Sequence, residues 1–475
     1  MDTLKHAPSD LIWAARHRGV RPVLTDAQAA RFTRQAVLAL TGPAGQERYE
    51  PWTPAREIRS DPCDYLVDPE AAAPALGTVQ EAVDAAIRSG KTGRVIIDLA
   101  PGTYHGLVYL PKVQGRGLAF TLRGRGATPQ DVEITAAIDA EMPGAEYQTR
   151  FGAAFETAAR ESRAIFARIA ARETLSTANA SVIRTEADDT ELFNLTIRNA
   201  YNADRAAATP EGFSPDAMGR YPRGQHQAVA FLSAGADRVV LGHVHLKSYQ
   251  DTLYLQAPDK FSTVRSYLFD CDIEGDVDFI FGQSTAYFEG CTLRALGARG
   301  ARCWVTAPST HIRTPFGFVF EDCDFVDDGA APLGRVHLGR QWFEAVKASP
   351  YGTPPVAGYA VTLGPVSYYT PPKGEISEAS LFSVGKCVLL NCRIGPQINR
   401  AAPWDDWSGP GYAADGALLP GPWQPRYRPH QIGPSDFKRF LSNWPELAQV
   451  DLSDLDPEDI WLGEYNTMES EARHG

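Results

Sequence analysis

The 475-residue chain has no uninterrupted run of ~18 apolar residues, which excludes a conventional membrane-spanning helix. It has no Cys-x-x-Cys spacing, and its seven cysteines are an odd number, so neither a disulfide framework nor a zinc site is expected. No His/Cys/carboxylate cluster has metal-ligand spacing, and no metal or cofactor is expected. Basic residues are in the minority: 46 Lys and Arg face 58 Asp and Glu, for a formal net charge of −12. They form no stripe, which argues against nucleic acid as a partner, and the acidic surface disfavours a fully anionic polymer. The stretch from Met1 to Leu24 lacks an apolar core of signal-peptide length. A cytoplasmic protein is therefore expected from the sequence as it stands, and a periplasmic or secreted one if a leader precedes it.

What the chain does have is a repeat. Six hexapeptides share the pattern apolar-x-x-apolar-x-apolar: LFNLTI from Leu192, LGHVHL from Leu241, LFDCDI from Leu268, FEGCTL from Phe288, FEDCDF from Phe320 and LLNCRI from Leu389. Their starts are separated by 49, 27, 20, 32 and 69 residues, which fits coils of ~20–30 residues with loops inserted in the wide gaps. Positions four and six alternate with polar neighbours, the period-2 signature of a strand with one buried face. A strand recurring at that interval without a long helix between neighbours predicts a parallel β-solenoid, an all-β fold in which each coil buries its apolar face against the next. The cysteines support this independently. Position four is Leu195, Val244, Cys271, Cys291, Cys323 and Cys392, an interior column in which Cys serves as a small hydrophobe.

The same ruler places two aspartates. Asp251 lies ten residues after Leu241 and Asp278 ten residues after Leu268. They occupy one phase of consecutive coils, where parallel strands stack ~4.8 Å apart. Two carboxylates that close repel unless one is protonated or neutralised, which is costly for a scaffold and useful for acid–base chemistry. Gln227 precedes Asp251 by 24 residues, close to the same interval.

Taken in order, residues 1–64 read as an N-terminal extension with a helix over Thr25 to Leu40. Thr78-Val79-Gln80-Glu81 is a capping box opening a helix over Val79 to Ile87, placed to cover the open end of a solenoid spanning 65–400. Strands are expected at Val95 to Leu99, at Leu107 to Leu110 and again from Ser181. Residues 142–175 break the β pattern: Phe151, Phe155, Ala158, Ile165 and Ile169 follow helical spacing, which predicts one inserted helix packed on the solenoid, with a rim of the cleft the lesser alternative. Residues 401–475, rich in Pro, Gly and Trp, read as a tail folded back along it, with Trp404, Trp407 and Trp423 expected to pack against it and a cleft position for Trp404 or Trp407 the lesser alternative. A helix is expected over Asp436 to Leu447.

Several motifs, in this order, resemble the pectin methylesterases (pectinesterases, carbohydrate esterase family 8): GTVQEAVDAA, PGTYHGLVYLP, QAVAF from Gln227, YQDTLYLQ around Asp251, GDVDFIFG around Asp278, LGRQW from Leu338 and WLGEYN from Trp461. The resemblance implies a single-stranded right-handed parallel β-helix of the pectin-lyase type. It implies that Asp278 is a nucleophile attacking the C6 carbonyl of a galacturonate methyl ester and forming an acyl-enzyme anhydride. Asp251 would be the general acid for departing methanol and then the base for water. Arg340 would keep Asp278 ionised through charge-assisted hydrogen bonds. Gln227 and Gln250 would supply oxyanion donors, each worth ~2–4 kcal/mol, while Trp342 stacks on a sugar ring and Phe281 lines the same groove. The implied partner is methyl-esterified homogalacturonan or its oligomers, acted on by a monomer.

Two features depart from the usual pattern. Arg340-Gln341-Trp342 stands where Arg-Pro-Trp is typical, and the insertion beginning MPGAEY resembles a bacterial branch. Some members of that branch act on short methylated oligogalacturonides, and others are annotated acyl-CoA thioesterases. Three alternatives stand beside the esterase: a thioesterase with the same nucleophile, a polygalacturonase-type hydrolase, and a non-catalytic polysaccharide-binding solenoid. An oxocarbenium ion would have less use for Gln227, Gln250 and Arg340 than an oxyanion has.

Overall fold

A computed structural model describes residues 11–13, 21–70, 76–201, 227–298, 303–343, 360–370, 373–409, 424–425, 430–442, 444–447 and 449–471. His226, which the sequence suggests as a structural neighbour of Gln227, and Trp423 lie outside the described residues. The chain winds as a parallel β-helix with three strand columns per coil. One column runs through 108–110, 181–185, 229–234, 253–256, 280–282, 303–308, 336–340 and 404–405, each strand parallel to the next.

The other two columns are the hexapeptides. All six pair in the register their sequences predict: Leu192 on Leu241, Leu268, Phe288, Phe320 and Leu389 in turn, and Ile197 on Leu246, Ile273, Leu293, Phe325 and Ile394. The hexapeptide is a corner, however, and not one plain strand. Its third residue, Asn194, His243, Asp270, Gly290, Asp322 or Asn391, takes a positive φ between 49° and 64°. That conformation turns the chain from one column into the next. It favours Gly, and then Asn and Asp, because other side chains crowd the following carbonyl. The polar third position is therefore a backbone requirement. Position four then points inward, and Cys271, Cys291, Cys323 and Cys392 are buried, reduced thiols on successive rungs; Cys63 is exposed.

The helix Val79–Arg88 begins with the capping box at Thr78 and Glu81 and buries Val79, Ala82, Val83, Ala86 and Ile87 on the first coil. The insertion is two helices, Gly144–Phe155 and Arg160–Ala170, where the spacing predicts one. Ala159 is extended (ψ 154°), and the reversal lets Phe166 stack on both Tyr147 and Phe155 at 4.6 Å. The helix expected over Thr25–Leu40 is likewise broken. Thr25 and Thr33 each cap a short turn, Asp26–Ala29 and Arg34–Val37, and Thr33 is extended. Its hydroxyl accepts from the Ala36 N–H, offering the backbone an alternative to a continued helix.

The N-terminal extension is bolted to the coils by a fully buried guanidinium. Arg265 donates to the carbonyls of Leu38 and Glu50 and to the carboxylates of Glu50 and Asp237, at 2.7–3.1 Å. Its bond to Glu50, with that of Arg48, holds the Glu50 carboxyl down at about 2.

The tail also differs from expectation. Its last strands, Leu462–Tyr465 and Met468–Ser470, pair in parallel with Cys387–Leu390 and Arg393–Ile394 and so add a further rung to the solenoid. The helix predicted over Asp436–Leu447 runs Pro434–Leu441, with a separate turn from Pro445, whose ring cannot continue it. Among the described residues no helix is long and apolar enough to cross a membrane.

Candidate active site

The first strand column carries the site at the entrance to its strands. Leu253 pairs with Ile280 and Tyr254 with Phe281, so Asp251 and Asp278, two residues earlier, sit one above the other. The Asp251 N–H donates to the Val277 carbonyl at 3.0 Å, which locks the two turns together. Both aspartates have positive φ, 67° and 50°, a conformation Asp tolerates better than most residues. Each is 7 % exposed. The carboxylates therefore stand at a rung corner, held by backbone geometry and open to the groove.

Gln227 and Gln250 form a parallel bridge one rung earlier. Arg340 reaches back to Asp278 with both arms of its fork: Nε donates to Oδ1 at 2.8 Å and Nη2 to Oδ2 at 2.7 Å. The guanidinium lies between two indoles, 3.7 Å from the Trp304 ring centre and 4.2 Å from that of Trp407. In a desolvated setting each such contact is worth up to about 2 kcal/mol.

These groups share a cleft of about 420 Å³ lined by Gln227, Gln250, Asp251, Asp278, Arg340, Phe281 and Trp342. All seven residues singled out from the sequence are thus brought together. Sequence reasoning did not single out Tyr254, Gln256 and Ala307, nor Ser176, Thr177 and Ala178 at the exit of the insertion, all of which line the same cleft. The insertion therefore packs on the solenoid and also ends in the cleft wall. Tyr254 had a signal, being three residues from Asp251 in YQDTLY. It stacks on Phe281 at 4.1 Å, and Trp342 meets both rings edge-on at 6.4 and 5.9 Å. The result is an aromatic cluster in the cleft wall, a surface of the kind a sugar ring or an acyl chain packs against.

Of Trp404 and Trp407, the second lines the cleft, whereas the first is buried in the core. Asp406 anchors the segment by accepting bonds from the ring Nδ1 and the backbone N–H of His430, both 2.8 Å. Burial alone would raise the Asp406 carboxyl, but these bonds bring it below its ordinary range.

Gln341, in the place usually held by proline, is buried. Its Nε2 donates to the carbonyls of Gly385 and Gln431, and its Oε1 accepts from the Gln431 N–H at 2.6 Å. The departure fastens the tail beside the site while Trp342 still donates its backbone N–H to Pro308. Among the described residues no cluster of His, Cys, Asp and Glu could hold a metal ion. A larger cavity, about 500 Å³, lies under the C-terminal helix and is lined mainly by Leu441, Trp444, Leu447 and Leu452. Its lining has no carboxylate pair.

Comparison with known proteins agrees with this geometry. Residues 212–348 match the family model described as Pectinesterase. Pectinesterase B of Dickeya dadantii (strain 3937) is 31% identical over 347 residues, covering 70% of this chain and 75% of the relative. The structure of rice weevil pectin methyl esterase superimposes with a TM-score of 0.66 at 23% identity, covering 95% of this chain and 97% of the other. The putative acyl-CoA thioester hydrolase YbhC of Escherichia coli (strain K12) is 28% identical over 335 residues, 66% of this chain and 71% of the relative. The structure of Escherichia coli ybhC gives a TM-score of 0.66 at 21% identity, covering 99% of both chains. The chain belongs to the pectinesterase family and is a carboxylic ester hydrolase built on a parallel β-helix.

Proposed function

We propose that the protein hydrolyses galacturonate methyl esters in pectin or methylated oligogalacturonides and releases methanol, with Asp278 as nucleophile and Asp251 as general acid and base. The observation that carries this reading is the two-pronged bond between Arg340 and Asp278 in the same cleft as Asp251, one rung away. The paired N–H groups hold the Asp278 carboxylate in a fixed orientation toward the cleft, as a nucleophile requires. Family membership supports the substrate class.

In the first half-reaction an Asp278 oxygen adds to the ester carbonyl carbon. The amides of Gln227 and Gln250 donate to the oxygen that becomes negative. The tetrahedral adduct then collapses, the C–O bond to the methoxy group breaks, and the Asp251 carboxyl gives that oxygen its proton. In the second half-reaction Asp251 takes a proton from water, which attacks the anhydride at the galacturonyl carbon. Asp278 leaves as a carboxylate, and the acid–base group is restored. Trp342, Phe281 and Tyr254 supply the apolar surface for the sugar rings.

The test is methanol release from highly methylated pectin and from short methylated oligogalacturonides, wild type against Asp278→Ala. Methanol from either substrate, abolished by the substitution, is the expected result. No methanol from folded wild-type protein would remove this reading. Cleavage of acyl-CoA thioesters in its place would favour the second one, which the name of the Escherichia coli relative raises.

A further inference from the structure

The strand column that carries Asp251 and Asp278 continues beyond them. Ile280 pairs with Thr306, and the next rung sets Trp304 beside the turn that carries Asp278. Trp304 is 6 % exposed and is not among the residues that line the cleft. Thr306 pairs in turn with Gly339, which puts Arg340 on the rung beyond Trp304. The guanidinium nevertheless bonds Asp278, on the rung before it. To get there it crosses the face of Trp304, at 3.7 Å from the ring centre.

Trp304 is itself held at three points, two of them on its ring. Its ring N–H donates to Asp405 Oδ2 at 2.9 Å, and its ring stacks on His337 at 6.3 Å and 21°. Its backbone N–H donates to the carbonyl of Asp276, two residues before Asp278, at 3.0 Å. Trp304 is thus attached both to the turn that carries the carboxylate and to the cation that grips it. A flat ring under a planar fork leaves the fork one plane in which both N–H groups stay aimed at the carboxylate. An aliphatic side chain there would let the fork tilt and admit water beneath it.

We propose that Trp304, fixed by Asp405, is a positioning residue that sets the plane of the Arg340 guanidinium and, through it, the angle of the Asp278 carboxylate. The proposal rests on Asp278 and Arg340 acting as described above. Because Trp304 does not line the cleft, its effect belongs in turnover and not in substrate affinity.

The experiment measures kcat and KM for methanol release from highly methylated pectin by the full chain. Wild type is compared with Trp304→Leu, Trp304→Phe and Asp405→Leu, each checked for a native circular dichroism spectrum. Trp304→Leu is expected to lower kcat about 10- to 100-fold, the scale of a misaligned reacting group, with KM essentially unchanged. Trp304→Phe keeps a flat face and is expected to recover most of that loss. Asp405→Leu, which leaves the indole in place but untied, is expected to lower kcat by a smaller factor, again at constant KM; it carries the test if Trp304→Leu does not fold. An unchanged kcat in the folded variants, a loss carried by KM, or a phenylalanine no better than leucine would overturn the proposal. No methanol from wild type would instead remove the reading of the site on which it stands.

Discussion

Arg340 and Asp278 meet fork to fork through two parallel N–H···O bonds of 2.8 and 2.7 Å, although they sit two rungs apart along the same strand column. Both side chains are at most 10 % exposed, so little water competes for the pair.

A lysine cannot reproduce that bond. Its ammonium is a point charge on a flexible stem, with no plane to lie between Trp304 and Trp407. Arg340→Lys is expected to lower kcat/KM for pectin roughly 100-fold, equivalent to about 3 kcal/mol. Steady-state methanol release measures it, and near-wild-type activity would show that charge alone suffices.

Asp251 is given a proton-transfer role, which depends on the leaving group. Asp251→Asn keeps the shape of the turn and is expected to lower turnover on methyl esters by roughly 10²–10⁴-fold. An ester with a nitrophenyl leaving group departs without a proton. On such a substrate the same variant should lose far less in the step that forms the acyl-enzyme, as a burst of nitrophenol would report. Equal losses on both esters would contradict the assignment.

Gln341 is a stability residue set beside the site. Gln341→Ala leaves the carbonyls of Gly385 and Gln431 and the N–H of Gln431 without their partner. Each buried orphan costs about 1–3 kcal/mol. A loss of roughly 3 kcal/mol in urea unfolding is expected, with Arg340 still bound to Asp278. A variant as stable as wild type would show that the tail is held by other contacts.

His311 gives the fold a pH dependence with a definite sign. Burial, reinforced by the nearby charges of Arg313 and Lys386, holds its ring down to about 4 from an ordinary value near 6.5. Its Nδ1 accepts the Arg313 N–H, as suits a neutral imidazole. Between those two values the unfolded chain takes up a proton that the folded chain refuses. The contribution is therefore fully present above pH 6.5 and is lost as pH falls toward 4, by about 3 kcal/mol at most. The difference in unfolding free energy between wild type and His311→Leu should fall across that window. A difference that stays flat would place the acid sensitivity elsewhere.

The parts of this molecule that were legible in the sequence are those fixed by period. Apolar spacing alone set the pairing of Leu192 through Leu389, and the same count aligned Asp251 over Asp278. The departures have local causes. At Thr33 and Ala159 a helix pattern was interrupted by extended backbone, since a capping hydroxyl or the meeting of three aromatic rings outweighed propensity. The platform under Arg340 was harder to see. A tryptophan in a strand reads as core, and only the structure shows its ring lying under the guanidinium. Trp407 and Asp405 come from a Pro- and Gly-rich stretch with no period to count; the pairing of Asp405 with Arg340 and the contact of the Trp407 ring with the guanidinium appear only in the structure.

The inward thiols of Cys271, Cys291, Cys323 and Cys392 mark four consecutive coils at a single depth. Closed coils hide every one of them from a soluble alkylating agent, while Cys63 outside reacts at once and starts the clock. Each label gained thereafter dates the opening of one particular coil. Buried Cys303 and Cys387 would label too, so peptide mapping picks out these four, and their order in mild denaturant would tell whether the spiral comes apart from its tail, from the end capped by the Val79–Arg88 helix, or all together. The molecule carries its own graduated scale for watching itself unwind.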